Sequence, residues 1–284
     1  MITADLVGQR VQSLPSLPTT IVSLGQAVSD DRCTVDRILG ILAKDPPLSA
    51  SMLRLANSAL YQGDRPASDL RTAVLRLGFD AVLNLGRTAA IIRTFRTATT
   101  FDPVLLWQHS VAVAITAKGI CRLTRKHHLA ETAFLVGLLH DIGKIALDRC
   151  FTDEYAPVVT AVREGEEGVG AERRLLGLTH AQVGALVALR WNFTEEQVEV
   201  IRDHHEPAEG QFLSSLVNLC DLMVRSRMPN GPYDEALSFS LESLPVFRAV
   251  FGTLTGEMDL ERLTFGIDDE LDHAITFVKL AFQE

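Results

Sequence analysis

Hydrophobic residues recur at helical spacing along most of the chain, whereas the strict alternation expected of strands is scarce. The first apolar stripe consists of Leu14, Leu17, Ile21 and Leu24. The last one consists of Ile275, Val278 and Phe282. Because a helix buries residues that recur every three or four positions, this pattern predicts an all-α protein.

Residues that suit the N-termini of helices divide these stripes into separate elements. They are Thr34, Asp45, Ser68, Asp102, Thr179 and Thr194. Each can accept a hydrogen bond from an N–H group of the first turn, and Pro46 and Pro103 suit the first helical position. Gln follows Thr179 and Thr194 three residues later, which adds a capping box. We therefore predict a helix that begins directly after each of these residues.

Two segments interrupt the helical pattern. Residues 97–101 have the sequence Thr-Ala-Thr-Thr-Phe, which is typical of a linker, and residues 228–235 form a second break with Pro and Gly. These breaks predict an N-terminal helical lobe over residues 1–98, a second helical domain over residues 99–235, and a C-terminal helical segment over residues 236–284.

The composition is that of a globular protein, with 47% apolar and 22% charged residues among 284. No apolar run reaches the roughly 18–20 residues that cross a bilayer, and the N-terminus lacks the pattern of a signal peptide. None of the four cysteines, Cys33, Cys121, Cys150 and Cys220, lies in a C-x-x-C pair. We expect a cytoplasmic protein with reduced thiols and no membrane association.

The net charge of −9 argues against general binding of nucleic acid, which depends on neutralising phosphates. The charge is uneven. Residues 1–100 hold 11 basic and 8 acidic side chains, and the rest of the chain holds 16 basic and 28 acidic ones. Two interpretations stay open: ordinary solvated faces, or two lobes with different partners.

A series of histidines and aspartates carries the candidate chemistry. It consists of His109, His140, Asp141, His180, His204, His205 and Asp221. Imidazole and carboxylate together suit ions such as Fe, Mn, Zn or Ni. Two adjacent ions with a bridging carboxylate can hold a phosphate and activate a water molecule.

The adjacent pair His140–Asp141 is the centre of this series because it ends an apolar helix. Two polar side chains buried there need partners, since unpaired burial costs several kcal/mol. Metal ligation would supply the partners, and so would a hydrogen-bonded pair without a metal.

A family resemblance begins with the string Gly137-Leu-Leu-His140-Asp141-Ile-Gly143-Lys144, which resembles the HD superfamily of metal-dependent phosphohydrolases. Over residues 10–235 the chain more specifically resembles the HDOD ("HD-related output domain") family of bacterial signalling proteins. The N-terminal motifs are Leu14-Pro15-Ser-Leu-Pro18, Asp45-Pro46-Pro-Leu48, Leu55-Ala-Asn57-Ser58 and Leu75-Arg-Leu77-Gly78. The later motifs are Leu106-Trp107-Gln-His109-Ser110, Thr179-His180-Ala-Gln-Val-Gly184, Arg190-Trp191 and His204-His205-Glu-Pro207.

The resemblance implies two packed helical lobes, the second of them HD-like, and a role in signal transduction, often in cyclic-di-GMP pathways. Similarity to the HD-GYP phosphodiesterases implies a set of metal ligands, namely His109, His140, Asp141, His180, His204, His205 and Asp221. It also implies catalytic roles for Asp141 and for Lys144, which matches a lysine that contacts phosphate.

Two departures limit the likeness to the phosphodiesterases. Residues 206–211, Glu-Pro-Ala-Glu-Gly-Gln, replace the Gly-Tyr-Pro segment, and Leu105 stands where a third ion would need a carboxylate. We therefore expect one or two divalent ions, not three. The spacing from His205 to Asp221 is also short, which makes Asp221 the weakest of the predicted ligands.

Two hypotheses follow. The first is a regulatory protein that acts through contacts with signalling proteins, with an HD site that is structural, metal-bound or vestigial. The second is a metal-dependent phosphohydrolase that takes a nucleotide or another phosphoester. We favour the first because the Gly-Tyr-Pro segment is missing and because many members of the resembled family have lost HD ligands.

Overall fold

The computed structural model describes residues 2–58, 61, 65–228, 243–252 and 260–282, without the side chains of residues 4 and 260–270. The described residues form helices, turns and loops and contain no strand. The predicted all-α class is confirmed. Nearly all of the predicted break at 228–235 lies outside the described residues.

The helices are named in chain order. They are α1 (Ala4–Val11), α2 (Thr19–Val28), α3 (Val35–Leu42), α4 (Pro46–Ala56), α5 (Leu70–Leu77), α6 (Phe79–Thr94), α7 (Pro103–Leu123), α8 (Ala130–Leu139), α9 (Ile142–Cys150), α10 (Thr152–Arg163), α11 (Gly168–Leu176), α12 (His180–Arg190), α13 (Glu195–Asp203), α14 (Phe212–Arg225), α15 (Pro245–Phe251) and α16 (Leu260–Phe282). A short 3-10 turn, His127–Leu129, precedes α8.

The chain forms two compact units. One contains Pro15–Arg96 and Asp272–Glu284, and the other contains Met1–Leu14 and Thr97–Leu271. The division of the chain at 98/99 and 235/236 stays a prediction.

Five of the six predicted caps are confirmed. Thr34, Asp45, Asp102, Thr179 and Thr194 each accept a hydrogen bond from the first turn of the helix that follows. The prediction for Ser68 is wrong, because Asp69 caps α5 through its Oδ1, which lies 2.9 Å from the N–H of Thr72. The Ser68 hydroxyl donates to the Asp69 carboxylate instead.

In the smaller unit, the polar pair Asn57-Ser58 ends α4. The Asn57 side chain brackets Ala67, donating to its carbonyl at 3.0 Å and accepting from its N–H at 2.7 Å. The Ser58 hydroxyl donates to the carbonyl of Leu55 at 2.7 Å. Both side chains therefore replace backbone partners that a chain loses where a helix stops.

In the larger unit, α7 is the central helix. It packs against α8 and α14, and an added Cβ at Gly137 of α8 would lie only 2.9 Å from the Cα of Ala114. By length and composition α7 could cross a membrane, contrary to the expectation from sequence, yet 78% of its apolar window is buried inside the fold. Such burial is the ordinary condition of a core helix.

Helix α9 is hydrogen-bonded to the segment that precedes α7. The carboxylate of Asp148, which is 1% exposed, accepts hydrogen bonds from the N–H groups of Thr99 and Thr100 at 2.8 Å and from the Thr100 hydroxyl at 2.6 Å. The predicted linker 97–101 is thus fixed to α9 by a buried charge.

Replacing Asp148 with Asn should destabilise the protein by about 3 kcal/mol, because one buried acceptor becomes a donor that faces another donor. Urea unfolding followed by circular dichroism measures this change. Asp153→Asn removes an exposed carboxylate from the start of α10 and should cost less than about 1 kcal/mol. Equal stability of the two variants would contradict the assigned role of Asp148.

Candidate metal centre

Five parts of the larger unit bring all the predicted ligands together. His109 comes from α7, His140 and Asp141 from the junction of α8 and α9, His180 from the first turn of α12, His204 and His205 from the end of α13, and Asp221 from α14. All are at most 3% exposed except His205, which is half-buried. His127 and His128 lie outside this cluster and are exposed.

The first group of ligand atoms contains His109, His140 and Asp141. The Nε2 atoms of His109 and His140 are 3.3 Å apart. His109 Nε2 also lies 3.0 Å from Asp221 Oδ1 and 3.8 Å from Asp141 Oδ2. Asp221 therefore lies in the cluster, although its short spacing from His205 along the chain made it the weakest of the predicted ligands.

The second group contains Asp141, His180, His204 and His205, and within each group the ligand atoms lie within 4.8 Å of one another. His180 Nε2 is 3.1 Å from Asp141 Oδ1 and 2.9 Å from His205 Nε2. Asp141 belongs to both groups and directs a different oxygen toward each one. A carboxylate in that position can bridge two cations.

Two hydrogen bonds fix the orientation of the buried imidazoles. His140 Nδ1 lies 2.7 Å from the carbonyl of Gly137, and His204 Nδ1 lies 2.8 Å from the carbonyl of Ile201. Because a carbonyl can only accept, each Nδ1 carries the proton and each Nε2 of the neutral ring keeps a lone pair. These lone pairs point into the cluster.

The donor set fits a divalent cation better than a hydrogen-bonded pair. His204 Nε2 and Asp141 Oδ1 are buried and make no hydrogen bond to the described residues. His180 Nε2 lies 3.1 Å from Asp141 Oδ1, which is close enough for an ion pair, but the two atoms do not form a hydrogen bond. A pairing of His140 with Asp141 alone would leave His204 Nε2 unsatisfied, whereas a cation would occupy these lone pairs.

Burial favours the neutral form of several of these histidines. It lowers the pKa of His204 to about 3, with nearby His140 and His180 adding repulsion. Burial also lowers the pKa of His205 well below its usual value, and lowers that of His109 against the opposing effect of Asp221. Neutral imidazole is the form that binds metal ions.

Both aspartates stay ionised. Burial by itself would raise the pKa of Asp141, but its interactions with the His140 ring and with the positive charge of Lys144 hold it well below the usual range. Burial would likewise raise the pKa of Asp221, which Arg225 and His109 hold low. Lys144 Nζ lies 2.7 Å from Asp141 Oδ2. The cluster therefore presents two carboxylates and several neutral nitrogens, a set that suits divalent ions.

Sequence reasoning missed Glu172, on α11. It is 1% exposed, and its oxygens lie 2.9 and 2.8 Å from His180 Nδ1. Burial by itself would lower the pKa of His180, but the charge of Glu172 contributes to raising it to about 9. No spacing rule connects the two residues, because they lie on different helices; a lone acidic side chain on the buried face of α11 was the available signal.

Gly143 allows the junction of α8 and α9 to approach α12. An added Cβ there would overlap the carbonyl oxygen of His180 and would lie 2.7 Å from the backbone nitrogen of Gly184. The distance between Asp141 and His180 therefore depends on the absence of a side chain at position 143.

Gly143→Ala should destabilise the protein by about 3 kcal/mol, because the overlap is with backbone atoms that cannot move independently. Gly119→Ala is the matched control, since Gly119 is exposed within α7 and its added Cβ meets nothing within 4 Å. That change should raise stability by about 0.5–1 kcal/mol. Thermal unfolding of both variants tests the difference, and a stable Gly143→Ala variant would refute the proposed close approach.

Comparisons with known proteins agree with this architecture. The model of the HDOD domain family matches residues 14–207. An uncharacterised protein of Treponema pallidum is 25% identical over 277 aligned positions, and the match covers 91% of this chain and 52% of that protein. The chain thus spans about half the length of this curated relative.

Two solved structures are similar over nearly the whole chain. One is an HDOD domain protein of unknown function from Geobacter sulfurreducens, with a TM-score of 0.81, 28% identity and 98% coverage of both chains. The other is named as a candidate phosphohydrolase, from Shewanella amazonensis, with a TM-score of 0.78 and 28% identity. It covers 97% of this chain and 98% of its own.

Proposed function

The chain belongs to the HDOD domain family, and on that premise we propose that it is a signal-transduction protein whose larger unit holds a dinuclear centre of divalent metal ions. One observation carries the proposal: two groups of buried ligand atoms share Asp141. His204 Nε2, which has no hydrogen-bond partner in the described part of the chain, agrees with it. In this proposal the protein transmits its signal through contacts with a partner protein.

The two ions would have different ligands. His109, His140 and Asp141 would hold one, with Asp221 next to His109, and Asp141, His180, His204 and His205 would hold the other. Fe, Mn, Zn and Ni all accept such mixed nitrogen and oxygen ligands.

Metal binding should be measurable both as content and as stability. Protein purified without a chelator should carry about two divalent ions per chain by elemental analysis. Because the ions bind the folded chain, a free concentration of 1,000 times Kd should raise stability by about 4 kcal/mol. A chelator should lower Tm accordingly.

His140→Ala should lower the metal content, whereas His128→Ala, which changes an exposed histidine outside the cluster, should leave it unchanged. A wild-type chain that binds no ion, and whose Tm does not respond to added Mn²⁺, would exclude the proposed centre.

Hydrolysis of a phosphoester is a second candidate function, and the position of Lys144 favours it. Its Nζ lies 2.7 Å from the shared carboxylate, and its side chain is 11% exposed. When bound, a metal pair supplies an activated water molecule and neutralises charge on phosphate. Lys144 would add a positive charge beside the same phosphate and stabilise the charge that develops on it.

Lys144→Met should keep both ions and lower the hydrolysis of bis(p-nitrophenyl) phosphate with Mn²⁺ by about 100-fold, by analogy with loss of one charge-stabilising donor. Lys279→Met, on an exposed position of α16, is the matched control and should keep wild-type turnover. A wild-type protein that binds two ions and shows no turnover of this or other phosphoesters would rule out the second candidate and leave the regulatory function.

A further inference from the structure

We infer that Glu172 makes the two metal positions unequal, by tightening the binding of the ion held by His180. This inference rests on the proposed dinuclear centre and concerns a positioning residue, because Glu172 contacts a ligand and not the ion.

Glu172 contacts both the ring and the backbone of His180. The two Glu172 oxygens lie 2.9 and 2.8 Å from His180 Nδ1, and Oε2 also accepts the backbone N–H of His180 at 2.8 Å. That N–H is the first of α12 and has no partner within its own helix. The carboxylate thus fixes the ring with Nδ1 protonated and Nε2 directed at Asp141 and His205.

The other oriented histidines have a different kind of partner. His140 and His204 each donate from Nδ1 to a neutral backbone carbonyl. His180 alone among these three donates to a full negative charge, inside a region where charges are poorly screened by water. A charged acceptor attracts the Nδ1 proton more strongly than a carbonyl does. The lone pair of Nε2 then becomes more basic and binds a metal ion more tightly.

The burial of Glu172 supports a role beyond orientation. Among the described residues its side chain hydrogen-bonds only to His180 and, more weakly, to the hydroxyl of Tyr155 at 3.4 Å. Neither Lys nor Arg pairs with it in the described part of the chain. A buried carboxylate with so few partners is costly unless its neighbour carries positive charge. An imidazole that carries either a second proton or a divalent ion supplies that charge.

The two positions should therefore fill in order. The ion shared by Asp141, His180, His204 and His205 should bind first, and the ion at His109 and His140 should bind second. Partners of this kind contribute about 10- to 100-fold to metal affinity.

The test is a titration of the metal-free full-length protein with Mn²⁺, followed by calorimetry and by electron paramagnetic resonance. Glu172→Gln keeps the size and one acceptor oxygen but removes the charge. We expect one Mn²⁺ to bind this variant about 10- to 100-fold more weakly than it binds the wild type, with the other unchanged. In the wild type the signal of an isolated ion should appear first, and that of an exchange-coupled pair should follow only as the second position fills.

Two controls separate this effect from structural damage. Tyr155→Phe removes the other contact of Glu172 without changing its charge and should keep both affinities within about twofold. Asp148→Asn destabilises the same unit away from the ligands and should also keep both affinities.

A second pair of variants tests the order of binding with Glu172 intact. His109→Ala should keep the affinity of the first ion, whereas His180→Ala should lower it by 10-fold or more. The reverse result would overturn the inference.

The outcomes distinguish the inference from the proposal on which it rests. Two Mn²⁺ ions bound by Glu172→Gln with wild-type affinities, or both weakened equally while Asp148→Asn binds normally, would overturn the role of Glu172 and leave the centre in place. A wild-type protein that binds no Mn²⁺ would remove the centre itself.

Discussion

The position of Asp141 is the constraint on which the rest of the larger unit depends. Its two oxygens face two different groups of histidines, so that one buried carboxylate belongs to both. The chain passes from α8 into α9 at His140 and Asp141, and Gly143 lets the start of α9 contact α12 without a side chain between them. Lys144, in the first turn of α9, offsets part of the buried negative charge.

The same short helix also fixes the chain at its other end. Asp148 binds the segment around Thr99 and Thr100, through which the chain enters α7. Helix α7 in turn carries His109 into the cluster. The polar cluster and the buried Asp148 carboxylate are therefore connected through α9 and α7.

The regulatory and hydrolytic hypotheses need the same cluster and differ in what reaches it. Regulation requires only that bound ions stabilise one arrangement of the helices. Hydrolysis also requires that a phosphoester approach the ions. The groups of the cluster nearest to solvent are half-buried His205 and Lys144, whose side chain is 11% exposed. Unequal affinities at the two positions, as inferred for Glu172, would allow one ion to be structural while the other exchanges.

The sequence alone determined the features that depend on neighbours along the chain. Helical spacing, five of six caps and the list of histidines and aspartates followed from local pattern, because a helix forms its own hydrogen bonds and its caps lie within one turn. Only the tertiary structure placed Asp221 3.0 Å from His109 and revealed Glu172 beside His180. These contacts are between different helices. The number of residues that separates two such partners along the chain follows no rule, because it depends on how the helices pack.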